Sequence, residues 1–75
     1  MPRFRFEISG TKPFIDPDGM ELSSAEVAWE EAVRLVRDIE GSLKPGENWT
    51  LDVSEGKGVI FRISVVTVDL RKSLS

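Results

Sequence analysis

The sequence contains no cysteine and no histidine. Their absence excludes disulfide bonds, thiolate nucleophiles, Cys/His zinc sites and imidazole acid–base catalysis. A net charge of −3 argues against general binding to phosphate backbones. No apolar run approaches the ~20 residues of a membrane helix, and the alternating start of the chain does not fit a signal peptide. We therefore expect a cytoplasmic protein without a membrane span, a cofactor or a metal.

The chain is short enough for a single domain. Its 75 residues lie near the lower size limit, where folding buries roughly 60% of the surface of the extended chain. A hydrophobic fraction of 40% and a charged fraction of 31% are typical of a globular domain rather than a disordered tail. We predict one domain over residues 1–70 and a frayed polar tail over residues 71–75.

The start of the chain predicts a strand. The stretch R-F-R-F-E-I at residues 3–8 alternates polar and apolar side chains, as in a strand with one wet face and one buried face. Turn residues follow at 9–12, and Pro13-Phe14-Ile15 is a candidate for a very short second strand at a sheet edge.

A helix is predicted to begin at Ser23 as its N-cap. Ser23 and Glu26 fit a capping box, and Leu22 and Val27 occupy the staple positions around it. Either Gly41 or the segment 44–46 is expected to end the helix.

Apolar residues recur at helical spacing along one side of this segment. They are Ala25, Ala28, Trp29, Ala32, Leu35, Val36, Ile39 and Leu43. Charged residues cover the opposite side, so the helix should pack across a sheet. Trp29 lies near the edge of the stripe and could belong either to the core or to an interface.

The C-terminal half predicts a β-hairpin. Residues 49–54 and 59–65 each alternate in polarity, with a turn at 55–58 between them. Past Val65 the apolar parity shifts, which indicates either a bulge or a strand end. The sequence therefore predicts an α+β fold, in which one amphipathic helix packs on a small, three- to four-stranded, mainly antiparallel sheet in the order β(β)αββ. Strand order is open, although the very apolar last strand favours the sheet interior.

Several short motifs follow one another in a recognisable order. They are M-P-R-F-R-F at 1–6, D-P-D-G-M-E-L at 16–22, an Ala/Glu-rich helix, and W-x-L-D-V-S at 49–54 leading into G-x-I-F at 58–61. Over roughly residues 1–66 the chain resembles a family of short bacterial proteins, a domain of unknown function common in soil and plant-associated proteobacteria. It departs from that family at the turn 55–58, which is usually more acidic. The resemblance implies a small α+β domain and no particular activity.

Three carboxylates lie close together before the helix, at Asp16, Asp18 and Glu21. Their spacing does not match an EF-hand loop, because the acid required six residues beyond the loop glycine is replaced by Ala25. A β-turn over residues 16–19, with proline in its second position, accounts for the pattern. The acids would then lie near the positive end of the helix dipole.

Pro2 offers an enzymatic alternative. Removal of the initiator methionine would leave a secondary amine, and small β-α-β tautomerases use such a proline as a general base while arginines bind an acidic substrate. Those enzymes usually enter their helix soon after the first strand, whereas about a dozen residues intervene here. Starting an edge strand is the simpler role for Pro2, and we predict no catalytic residue.

The sheet face away from the helix is the predicted interaction surface. By parity it carries Arg3, Arg5, Ile60, Arg62 and Val66. Nucleic-acid binding is not favoured, because no aromatic ring shares this face and Glu7 and Asp52 would neutralise the arginines. A domain this small gains apolar burial by pairing with a second copy, through sheet faces or edge strands. The sequence thus predicts a non-catalytic interaction or regulatory module, either a homodimer or a binder of an unidentified protein.

Overall fold

The computed structural model describes residues 2–10, 13–16, 18–56 and 58–71. Within them the chain forms one helix and one five-stranded sheet. The elements are β1 Arg3–Gly10, β2 Phe14–Ile15, β3 Met20–Glu21, α1 Ala25–Glu40, β4 Asn48–Glu55 and β5 Gly58–Val66. All strand pairs are antiparallel, in the order β2-β1-β4-β5, and β3 also pairs with β1. The predicted α+β class is confirmed, but the predicted strand count and order are wrong because they omit β3.

Two very short strands lie along the outer side of β1. The predicted second strand is confirmed at Phe14–Ile15, where Phe14 pairs with Ile8. The unpredicted β3 follows a turn in which Gly19 has a φ of +73°, and it places Met20 opposite Phe4. A strand of two residues is too short to show alternation. The predicted turns involve residues 11, 12, 17 and 57, which lie outside the described residues, as do residues 72–75 of the predicted tail.

The core lies between α1 and the two central strands, β1 and β4. Its buried members are Phe4, Phe6, Ala28, Ala32, Trp49, Leu51 and Val53. β5 lies at the sheet edge, so the predicted interior position of the last strand is wrong. The interior positions go to the strands with a strictly alternating buried face, whereas β5 leaves apolar residues exposed on its other face.

The helix begins one residue later than predicted. Ser24 is the N-cap, and its Oγ accepts a hydrogen bond from the Val27 amide at 3.3 Å. The capping box from Ser23 to Glu26 is therefore wrong. The Leu22 amide still donates to the carbonyl of Pro2 at 3.1 Å, so the chain is bonded beside β1 two residues before the N-cap. The predicted stop at Gly41 is confirmed as the C-cap.

The hairpin of β4 and β5 contains a β-bulge. Val53 pairs with Phe61, but the next residue, Ser54, pairs with Val59, so Ile60 is the extra residue. Val59 therefore lies opposite Ser54 on the sheet face away from α1, whereas the alternation predicted over residues 59–65 would place it on the same face as Phe61. The parity shift expected past Val65 reflects the end of β5 at Val66.

Candidate interaction surface

The five predicted surface residues lie on two strands and do not form one cluster. Arg3 and Arg5 belong to β1, whereas Ile60, Arg62 and Val66 belong to β5, on the far side of β4. We call the sheet face opposite α1 the open face. Cross-strand pairing places Arg5 beside Ser54 and Arg62 beside Asp52 there.

Arg62 and Arg3 both pair with carboxylates. Arg62 donates from Nε to Asp52 Oδ1 at 2.7 Å, and this hydrogen bond and the charge of Asp52 raise the pKa of Arg62. Arg3 donates to Glu21 at 2.8 Å and to the Asp18 carbonyl at 2.6 Å, so it ties the loop before α1 to β1. The register puts no aromatic ring of the described residues on the open face.

The two apolar residues of the predicted surface lie near opposite ends of β5. Ile60 is 39% exposed at the bulge, and Val66 is 71% exposed at the strand end, opposite Asn48. Between them the open face carries Arg62 and Ser64. Ile60 and Val66 therefore do not form a continuous apolar patch on that face.

A further apolar surface lies in a cleft between α1 and β5. The Trp29 and Phe61 rings meet there with their centroids 5.2 Å apart and their planes at 59°. The part of the cleft around these rings has a volume of about 600 Å³ and is flanked by Glu26 and Glu30, and Val33 lines its continuation along α1. Trp29 remains 43% exposed. Its position at the edge of the helical stripe was the only sequence signal for this cleft.

The outer edge of β5 borders this cleft. β5 is nine residues long, and Arg62 is its single charged residue. No strand in the described part of the chain pairs with its outer side. A long, apolar edge with so little charge is a template for pairing with another strand.

A backbone hydrogen bond shows which groups of β5 point outward. Thr67 continues the register of β5, and its amide donates to the Glu47 carbonyl at 3.3 Å. Residues in an antiparallel pair alternate between bonding to the neighbouring strand and pointing away from it. The odd-numbered residues back to Phe61 therefore bond to β4, and the even-numbered residues from Arg62 to Val66 point their amides and carbonyls outward.

A second cleft lies beside Pro2. It has a volume of about 570 Å³ and is lined by Pro2, Arg3, Arg5, Ser54, Glu55 and Gly56. The carbonyl of Pro2 accepts a hydrogen bond from the Leu22 amide, which fixes the start of β1 next to this cleft.

The carboxylates of Asp16 and Glu21, before the helix, have partners within the chain. Asp16 Oδ1 accepts hydrogen bonds from the amides of Asp18 and Gly19, both at 3.2 Å, as expected for a turn. Glu21 pairs with Arg3. Nowhere in the described ranges do three acidic, histidine or cysteine side chains converge as metal ligands.

No helix among the described residues is long and apolar enough to cross a membrane.

Comparison with known proteins shows a family and no particular function. Neither a curated protein nor a solved structure matches the chain significantly. One family model matches residues 3–67, which includes every helix and strand described above. The chain therefore belongs to the DUF6894 family, a domain of unknown function.

Proposed function

We propose that this protein is a small non-catalytic interaction module that associates with a second copy of itself through the outer edge of β5. The supporting observation is that no described strand covers the outer side of β5, where backbone groups point outward beside the Trp29–Phe61 cleft. Pairing would satisfy these groups and bury the apolar flank of α1 at the same time.

The β5 edge is a better candidate than the open face. The open face is largely polar, and Arg3 and Arg62 on it are paired with acids. Ile60, Arg62 and Val66 belong to β5 and so remain part of the proposed surface, whereas Arg3 and Arg5 lie two strands away. A domain of 75 residues also gains proportionately more from buried apolar area than a larger one.

A proline at Ser64 tests this proposal. The Ser64 amide points outward, so Ser64→Pro removes no hydrogen bond to β4 but blocks a strand from pairing on the outer side. We expect light scattering to give a dimer mass for the wild type and a monomer mass for Ser64→Pro, with unchanged circular dichroism.

Ser64→Ala is the matched control. It loses the same side-chain contact to Thr50 Oγ1, at 3.4 Å, but keeps the amide. It should therefore remain dimeric. A wild type that is monomeric at every concentration would overturn the proposal.

A second candidate is the tautomerase-like use of Pro2, which the cleft shared with Arg3 and Arg5 favours. In this function the free amine of Pro2 would take a proton from the carbon beside the carbonyl of a small 2-keto acid and return a proton to the carbonyl oxygen, and an arginine would bind the carboxylate of the substrate. In those enzymes a short connection usually joins the first strand to the helix. In this chain β2 and β3 lie between β1 and α1.

Chemical blocking of the N-terminal amine tests the second candidate. Protein from which the first methionine has been removed is assayed for tautomerisation of a small 2-keto acid, before and after acylation of the amine. Activity that is lost on acylation would support this function. Absence of activity in the unblocked protein would reject it.

A further inference from the structure

We infer that two copies pair β5 with β5 in one antiparallel register centred on Ile63, an inference that rests on the self-association proposed above. In this register Ile63 lies opposite Ile63 of the second copy. Phe61 then lies opposite Val65, and Arg62 opposite Ser64. The Ile63–Ile63 contact lies on the two-fold axis, and each of the other two contacts occurs twice.

The backbone of β5 restricts the choice of register. Between Phe61 and Thr67, the even-numbered residues point their amides and carbonyls outward. Hydrogen-bonded pairs across the new edge must therefore join even-numbered residues of both copies. A shift by one residue would place the outward amides and carbonyls of one copy opposite residues of the second copy whose amides and carbonyls point inward. It would also bring the open face of one copy next to the core face of the other.

Charge and side-chain shape select among the registers that remain. A register centred on Arg62 places two guanidinium groups directly opposite each other, which is destabilising. A register centred on Ser64 places Phe61 opposite Thr67, whose hydroxyl is already bound to the Glu47 carbonyl at 2.6 Å. The register centred on Ile63 instead pairs aromatic and β-branched side chains, which stabilise one another across strands.

The same register places the exposed Trp29 side chain between the two helices of the pair. α1 packs mainly over β4, so the two helices of the pair would lie three strand spacings apart, roughly 14 Å. Directly packed helices lie about 8–10 Å apart. The groove left between them is lined by Trp29 and Val33 from both copies, and large side chains are required to fill it.

Because the chain contains no cysteine, an introduced cysteine can form a disulfide only with the introduced cysteine of a second copy. Ile63→Cys introduces one thiol per chain, and in this register the two thiols lie in a non-hydrogen-bonded pair with Cα atoms about 4.5 Å apart. That separation permits a disulfide. We expect mild oxidation to convert most of the protein into a covalent dimer. Ser64→Cys is the matched control, because position 64 lies opposite Arg62 of the second copy and its new thiol should stay largely uncrosslinked.

A second pair of variants guards against a folding defect at the half-buried position 63. Arg62→Cys and Ser64→Cys both lie on the open face, where Arg62 is exposed. An equimolar mixture of the two, one carrying a mass tag, should form the mixed disulfide in preference to either homodisulfide.

The outcomes separate this inference from the proposal on which it rests. Crosslinking by Ile63→Cys and in the mixture supports the register. A dimer mass with crosslinking by Ser64→Cys alone, or by none of these variants, overturns the register while self-association stands. A monomer mass together with no crosslinking overturns both.

Discussion

At the scale of single residues, Gly10 is the glycine with the least room for a side chain. Its φ is +123°, and a Cβ there would lie 2.3 Å from the Asn48 carbonyl oxygen and 2.7 Å from the Trp49 Cα. Both atoms belong to the backbone of β4, so neither can move without disturbing the central strand pair. The glycine thus permits β1 and β4 to remain paired to the end of β1.

Gly10→Ala should lower the free energy of unfolding by about 2–4 kcal/mol, because backbone strain and a steric clash act together. Gly46→Ala is the control, since its φ is +88° but nothing lies within 4 Å of the added Cβ. We expect it to cost only about 1–2 kcal/mol. Urea denaturation of both variants measures the difference, and equal losses would contradict the clash.

At the scale of elements, the start of α1 offers a direct test of the cap position. Ser24→Ala removes the acceptor of the Val27 amide and should cost about 1 kcal/mol of stability. Ser23→Ala should change stability by less than about 0.5 kcal/mol, because Ser23 is exposed and lies outside the helix. Chemical denaturation compares the two, and the reverse ranking would move the cap to Ser23.

An element can be predicted from the sequence when it is long enough for its pattern of apolar residues to repeat. β1, α1, β4 and β5 are long enough for alternation or helical spacing to be recognised. β3 has two residues and therefore no period. The bulge at Ile60 adds a single residue and produces no recognisable sequence pattern, yet it moves Val59 to the other sheet face. The surface residues were predicted from alternation along each strand. Alternation does not show which strand lies at the sheet edge, so the cleft between α1 and β5 was not predicted.

At the scale of the whole molecule, self-association should link stability to concentration. A protein that is folded and paired gains stability as its concentration rises, because pairing removes the folded monomer from the unfolding equilibrium. We expect the thermal midpoint of the wild type to rise over a hundredfold increase in concentration. The midpoint of Ser64→Pro should stay constant over the same range, and a constant wild-type midpoint would count against association.

The two edges of the sheet differ in what they can support. One edge is β5, and the other is divided between β2 and β3, which have two residues each and leave the middle of β1 between them. A strand that docked on this divided edge would find no continuous row of backbone partners. In the proposed pair, growth by repeated strand addition would therefore stop once two β5 edges have met. The divided edge would then act as a chain terminator and keep a sheet with one apolar edge from polymerising into fibrils.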